Sequence, residues 1–408
     1  MAVTGSITTR FIDEKGVDLG KTLIEKDYLI SVYPNIVNQL DTPRLLAWGV
    51  NNYGSVGDNT TTQKNSPVDT VAYGANWKQV SCRGWSTLAV KTDGTLWAWG
   101  YNAYGNLGDN TVSNRSSPVQ TVAFGTNWKQ VSNNFLHSSC IKTDGTLWSW
   151  GINYGSGAFG TLGDNTLTAR RSSPVQTVAF GTNWKQVSCG YSGFTMAVKT
   201  DGTLWGWGTN SNGQLGNNTT SHRSSPVQTV AFGTNWVQVS CGRNHSAAIK
   251  NDNTLWCWGV NNLGQLGDNT NTRRSSPVQT VAGGNNWKQV SCGTDFMAAV
   301  KTDGTLWCWG ANATNGTLGD NTTTPKSSPI QTIAYGTNWK QVFSGDKITA
   351  ALKTDGTLWL WGYGFTGLLG DNTNTAKSSP VQTILFGQTW KQVSTGSLQT
   401  AAIKDGDF

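Results

Sequence analysis

The phrase Trp-x-Trp-Gly recurs along the chain at a nearly fixed interval, and one copy of the surrounding unit is divided between the two ends. The second Trp of the phrase falls at Trp99, Trp150, Trp207, Trp258, Trp309 and Trp361, with gaps of 51, 57, 51, 51 and 52 residues. One further step of 51 back from Trp99 lands on Trp48, in the half-phrase LLAWG at 45–49. The residues that precede this phrase elsewhere are missing there and stand instead at the C-terminus, as TWKQVSTGSLQTAAIKDGDF at 389–408. A linear stack of repeats has no reason to divide one unit. A closed ring does, because pairing the two ends leaves no open sheet edge. Two other phrases count the same seven units. NWKQVS and its variants carry Trp77, Trp128, Trp184, Trp236, Trp287, Trp339 and Trp390, and Ser-Pro-Val or Ser-Pro-Ile carries Pro67, Pro118, Pro174, Pro226, Pro277, Pro329 and Pro380.

Each unit reads as four short strands. NWKQVSC and AAVK are rich in strand formers, Thr-Asp-Gly-Thr is a tight turn, TLWAWG is a third strand, and a fourth lies around SPVQTV. Asn253 replaces the turn glycine once, and Asn tolerates a left-handed backbone best among the remaining residues. Leu96 and Ala98 face one way and Trp97 and Trp99 the other, so both faces are apolar, as in a sheet covered on both sides. The expected fold is therefore all-β: a seven-bladed β-propeller closed by N- and C-terminal strands that share one blade. Residues 42–408 form the propeller and residues 1–41 a short N-terminal arm. Of the 21 Trp residues only Trp85 lies outside the repeated positions, so the aromatic residues of the repeat read as blade packing rather than a sugar or base platform.

Composition narrows the class. With 49 Gly, 21 Trp and only 13% charged residues, the chain matches neither a disordered segment nor a membrane protein. The N-terminal stretch lacks the apolar core of a secretory signal. Seven Cys without a CxxC pair read as small buried hydrophobes in a reducing compartment.

The segment CGRNHSAAIKNDNTLWCWGVNNLGQLGDNT at 241–270 resembles the repeat of the regulator of chromosome condensation family: Cys-Gly, a nearby His, a small-residue strand, Asp, a Trp-Gly pair and Gly-x-Leu-Gly. The resemblance covers residues 42–408 and implies a seven-bladed propeller clasped by both termini. The founding members act on a small GTPase and bind chromatin, and others are plain binding proteins, including a bacterial inhibitor of β-lactamases. Exchange activity in the founding type relies on a wedge-like insertion, and the insertion here is a few residues at 153–160. The family His survives only as His137 and His245, its place elsewhere taken by Ser86, Phe296, Ile348 and Gln399. The near-verbatim repetition also resembles propellers encoded by tailed phages of marine bacteria, especially cyanophages, and the arm at 11–36 is similar to short modules on such virion proteins.

Little in the sequence suggests catalysis. Glu occurs only at Glu14 and Glu25, both in the arm, and the three His residues fall in different units. Asp recurs as a turn residue, and the GDNT loops lack the acidic ladder of a calcium loop. No catalytic residue, metal or cofactor is expected. One repeated feature is not explained by packing: a base stands three residues before every blade proline, at Lys64, Arg115, Arg171, Arg223, Arg274, Lys326 and Lys377, with Arg170 and Arg273 adding a second charge twice. It reads either as a solvated rim that closes its own loop or as a cationic ring for an anionic partner. The arm is acidic (4 basic and 6 acidic residues in 1–41) while the propeller is basic (26 and 17 in 42–408). Its apolar set includes Phe11, Leu19, Leu23, Ile24, Tyr28, Leu29, Ile30, Tyr33 and Ile36. Residues 23–31 read as a short amphipathic helix ending before Pro34. The arm either packs on the propeller flank or docks a second protein.

From the second resemblance, the expected role is a non-enzymatic virion display protein. It is assembled in the host cytoplasm, attached to other virion proteins by its arm, and used for adhesion to an anionic bacterial surface polysaccharide, with no membrane insertion and no nucleic acid. The rival is a cellular protein-binding or regulatory propeller of the nucleotide-exchange kind, and an enzyme is the third reading.

Overall fold

The computed structural model describes residues 6–12, 18–25, 43–71, 76–122, 125–153, 159–178, 181–230, 233–282, 284–312, 315–333, 336–384 and 389–405, with side chains from residue 43 onward. Seven four-stranded antiparallel sheets stand around one axis. In chain order the blades are 77–120, 128–176, 184–228, 236–279, 287–331 and 339–382, and the seventh combines 390–404 with 44–69. Within a blade the strands follow in sequence from the axis outward. The first, or inner, strand begins with Trp-x-Gln, where x is Lys in six blades and Val237 in blade four, and packs against the inner strands of both neighbours.

The local turns follow from the repeated chemistry. In the turn after the second strand, Asp93 Oδ1 accepts from the Thr95 backbone N–H at 2.9 Å and from its hydroxyl at 2.7 Å, and Gly94 has φ 80°. A Cβ on Gly94 would lie 2.0 Å from the Thr126 carbonyl oxygen, so the next segment passes too close for any side chain. Asn253, the single replacement, takes φ 61°. The Thr95 hydroxyl in turn accepts from Trp97 Nε1 at 2.9 Å.

Blades are joined by the tryptophans. Trp99 is fully buried and donates Nε1–H to Ser55 O in the preceding blade at 3.0 Å. The same bond recurs from Trp150 to Asn106 O, Trp207 to Thr161 O, Trp258 to Gln214 O, Trp309 to Gln265 O, Trp361 to Thr317 O and Trp48 to Leu368 O. A buried indole needs such a partner. This also explains Gly-x-Leu-Gly: the second glycine lies flat against the next indole, and a Cβ on Gly57 would sit 2.6 Å from Trp99 Nε1.

A second tie runs along the inner strands. Gln79 donates to Val131 O at 2.9 Å and accepts from Val131 N–H at 2.8 Å, and reciprocal amide bonds of this kind recur at Gln130, Gln238, Gln289 and Gln392. Alongside, the Ser of Gln-Val-Ser accepts a backbone N–H from the next blade, as Ser188 does from Cys241 at 3.0 Å. Both ties lapse at one joint. Phe343 replaces this Ser in blade six, and among the described residues no clasp to Val393 forms and the buried Gln341 Oε1 has no hydrogen-bond partner.

The split unit closes as expected. Strand Arg44–Gly49 pairs antiparallel with Gln399–Lys404 over six residue pairs, from Arg44↔Lys404 to Gly49↔Gln399. The C-terminal strand ends at Lys404, and Phe408 lies outside the described residues.

The arm departs from its expected helix. Strands Ser6–Ile12 and Asp18–Glu25 pair as an antiparallel hairpin, from Ser6↔Glu25 to Ile12↔Asp18. Phe11, Leu19, Leu23 and Ile24 therefore lie in strands. The Thr- and Ile-rich run at 7–12 supplies a pairing partner that a reading of residues 23–31 alone leaves out, and nonlocal pairing outweighs a short helical pattern. Tyr28, Leu29, Ile30, Tyr33 and Ile36 lie outside the described residues.

Candidate functional site

The seven predicted bases stand at the start of the outermost strands, and six of them turn back onto their own loops. Lys64 meets Asp58 at 3.0 Å, Arg115 meets Asp109 at 2.8 Å, Arg171 meets Asp164 at 3.5 Å and Arg274 meets Asp268 at 3.2 Å. Lys326 and Lys377 approach Asp320 and Asp371 at 3.8 and 3.9 Å. The Asp of each GDNT loop is nearly buried and also accepts from the following Thr, as Asp109 does from Thr111 N–H and hydroxyl at 3.1 and 2.7 Å. Burial opposes the charge of Asp58, Asp109 and Asp268, yet hydrogen bonds from Thr and Asn and the neighbouring base hold all three carboxyls below the ordinary range. Arg223 differs. Its loop reads GNNT, with Asn217 at the Asp position, and its Nε is buried without a hydrogen-bond partner among the described residues. Arg170 and Arg273 donate to the backbone carbonyls of Ala103 and Ser211 at 3.4 and 3.2 Å.

The histidines are structural. Burial holds both His137 and His245 down at about 3, so each is neutral at physiological pH. His137 bonds Thr195 Oγ1 at 2.7 Å and Asn134 Nδ2 at 3.1 Å, whereas the ring nitrogens of His245 have no hydrogen-bond partner among the described residues. The partly buried His222 accepts from Asn210 N–H at 2.9 Å. Among the described residues no three His, Cys, Asp or Glu side chains are grouped to hold a metal. No described helix is long and apolar enough to cross a membrane.

The chemistry that stands out lies where the repeats differ. The loops joining the first and second strands diverge: RGW at 83–85, NFL at 134–136, GYS at 190–192, GRN at 242–244, GTD at 293–295, GDK at 345–347 and GSL at 396–398. They gather around the axis on one face, beside the loops that follow each Trp-Gly. Half of that face is aromatic. Tyr53 stacks on Trp85 at 5.1 Å between centroids, Trp85 meets Phe135 edge-on at 4.9 Å, and Tyr101 stacks on Phe135 at 5.7 Å. Tyr104 touches both Tyr101 and Phe135, and Phe135 continues to Tyr191 at 6.2 Å. All six are half-buried. The ridge spans blades seven, one, two and three, and Arg243 of blade four lies over Tyr191 at 5.6 Å.

The other half of the face is polar. Arg243 pairs with Asp295 at 3.9 Å, and Thr294 donates to Asp346 at 2.9 Å. With Lys347 and Asn315 these residues line a cavity of about 410 Å³. Burial raises the Asp295 carboxyl, and Arg243 opposes that rise.

Arg83 joins the two halves. Its guanidinium crosses the axis from blade one and donates to Cys241 O at 2.7 Å, to Ser344 O at 3.1 Å and to Cys292 O. The equivalent positions are Asn134 and five glycines, which leaves room for one long side chain. Among the described residues neither Arg83 nor the ridge was anticipated from the repeat pattern. The signal was present in the lines where near-identical units disagree.

Comparison with known proteins agrees with this architecture. The RCC1-like domain model matches residues 39–314, and the regulator of chromosome condensation (RCC1) repeat matches 303–352 and 355–403. The ultraviolet-B receptor UVR8 of Arabidopsis thaliana is 30% identical over 287 residues, 69% of this chain and 64% of that protein. The E3 ubiquitin-protein ligase HERC2 of Homo sapiens is 28% identical over 271 residues, 65% of this chain but 5% of that protein. The structure of Prp20p from Saccharomyces cerevisiae, described together with its binding to Gsp1p and histones, superposes with a TM-score of 0.80. It covers 90% of this chain and 92% of that one at 19% identity, a likeness of fold. These relatives come from plants, animals and yeast. They overturn the expected virion display role, and with it the expected virion partners and bacterial polysaccharide.

Proposed function

We propose that this chain, which belongs to the RCC1-like domain family, is a non-catalytic regulatory propeller that binds a partner protein through the loop face carrying Trp85. The observation that carries this reading is the aromatic ridge. Six half-exposed rings occupy positions that vary among otherwise near-verbatim repeats. Blade packing does not require them, because the inter-blade tryptophans already fill the joints. Contiguous Trp, Tyr and Phe beside an Arg is the composition of an interface hot spot. The neighbouring Arg243, Asp295, Asp346 and Lys347 supply a polar rim that orients a partner.

A protein is also the partner class named for Prp20p, which binds Gsp1p and histones. The paired bases of the outer strands belong to loop closure in this reading, since six of the seven face their own loop Asp. The test is affinity purification of the tagged protein from its source cells, with the double variant Trp85→Ala, Phe135→Ala beside it. A stoichiometric protein partner should accompany the parent and be lost from the variant, because hot-spot truncations cost about 2 kcal/mol or more each. Equal recovery of every co-purifying protein with both forms refutes the reading.

A further inference from the structure

The opposite end of the axis carries a different chemistry. Every inner strand has a bulge at its second residue: in blade one Trp77 pairs with Lys91 and Gln79 with Val90, leaving Lys78 unpaired between them. The same irregularity recurs in the other blades. A bulge re-aims the side chain it carries, and here it turns that residue out of the inter-blade packing. Six of the seven bulged residues are lysines, and Val237 takes the place in blade four. All six lysines are exposed. Lys78, Lys288, Lys340 and Lys391 line a cavity of about 610 Å³ at the mouth of the axis.

The mouth opens into a well walled by Gln79, Gln238, Gln289, Gln341 and Gln392. Arg83 crosses the axis toward the other face, bonded to carbonyls of blades four, five and six. Lys391 is paired with Asp405 at 2.7 Å. Among the described residues no carboxylate lies within ion-pair distance of Lys78, Lys288 or Lys340. Gln341, whose Oε1 has no hydrogen-bond partner among the described residues, also lines the cavity.

We propose that this lysine-rimmed well binds one compact compound carrying several clustered phosphates. Three observations favour that class. The cavity has the size of a small-ligand site. Ammonium groups around an axis are point charges suited to phosphate oxygens from several directions. The lining is a set of side chains converging from five blades on the axis, not an elongated groove of the kind a peptide uses. Low-dielectric walls concentrate the field of the lysines at the mouth. The site is separate from the aromatic face, so it stands or falls independently of the protein-binding role.

The experiment is isothermal titration of the full chain at low salt with three probes: inorganic tripolyphosphate, magnesium-free adenosine triphosphate and hexaglutamate. Tripolyphosphate should bind one per chain and weaken steeply with added salt. Comparable binding of the nucleotide identifies a nucleotide source of the phosphates, and weaker binding identifies an inorganic one. Each of Lys78→Gln, Lys288→Gln and Lys340→Gln should weaken binding by roughly 2- to 5-fold, and the triple variant should abolish it. Val237→Lys, which completes the crown, should tighten it by a similar factor. Arg115→Gln, on the far face, should leave it unchanged. Absence of tripolyphosphate binding, binding indifferent to the triple variant, or hexaglutamate binding as tightly overturns the proposal.

Discussion

Replacing Arg83 with Met keeps most of the side-chain volume and removes the donors that bridge the axis. Three backbone carbonyls, on Cys241, Cys292 and Ser344, then lose a charged partner. A bond to a charged group contributes about 1.5–3 kcal/mol where water cannot substitute. Arg83 is only half-buried and the axis admits water, so about 1 kcal/mol per carbonyl is the appropriate scale. The expected loss is therefore about 3 kcal/mol. For 408 residues, at about 2.1 cal/mol/K per residue, this corresponds to a fall in Tm of about 3–4 °C. Differential scanning calorimetry reads it, with Arg83→Lys as the companion: one ammonium reaches fewer carbonyls and should recover only part of the loss. The substituted side chain lies at the axis rather than between blades, so cooperativity should be retained. A Tm unchanged within 1 °C for Arg83→Met would show that the carbonyls are equally well served by water, and the bridge would be structurally idle.

Other consequences follow from the same contacts. Trp309→Phe leaves Gln265 O without its buried indole donor and should cost about 2–3 kcal/mol in chemical denaturation; a loss below 0.5 kcal/mol contradicts the inter-blade role. Removing residues 399–405 deletes the strand that pairs with Arg44–Gly49 and should cost more than about 5 kcal/mol or prevent soluble expression, and an intact melting transition would disprove the closure. The seven thiols are buried and unpaired, with burial raising Cys82 and Cys292 to about 12 and Cys189 to about 11. They should resist Ellman's reagent until the protein unfolds and then all react, and a stoichiometric disulfide in the native protein would refute this. The buried imidazoles set an acid dependence: folded His137 and His245 titrate near 3 and the unfolded side chains near ~6.5, so the unfolded state binds more protons between those values. Stability should be complete above pH 6.5 and fall as the pH drops toward 3. His245→Phe, the residue that blades three and five carry as Phe194 and Phe296, should flatten the slope by about one proton, and an unchanged slope would count against it.

The ring and its closure were legible in the sequence because both are repeated. A seven-fold phrase with one copy divided between the ends leaves few topologies, and Trp48 with residues 399–404 pair where counting by 51 residues places them. The ties between blades were less legible, since the indole bond of Trp99 to Ser55 O joins positions 44 residues apart that no local pattern links. The outer bases drew attention by repetition, and six of the seven meet the Asp of their own loop. What distinguishes one face from the other resides in unrepeated residues. Arg83, Trp85, Phe135 and Tyr191 lie in loops that look dispensable when the units are averaged. The ring brings the Trp85 and Tyr191 ring centroids to 4.9 and 6.2 Å from that of Phe135 and carries Arg83 across the axis. In the arm, residues 23–25 carry a helical pattern in isolation, and pairing with residues 6–8 places them in a strand instead.

In the proposed function the aromatic face is the surface that meets a partner protein. Hydrogen–deuterium exchange on the propeller, alone and saturated with the purified partner, tests this directly. Protection is predicted in the loops at 83–86, 101–105, 134–136 and 190–193, with the turns at 92–95 and 143–146 on the opposite face unchanged. Protection confined to those turns, or to the Asp–Asn–Thr loops of the outer strands, would contradict it.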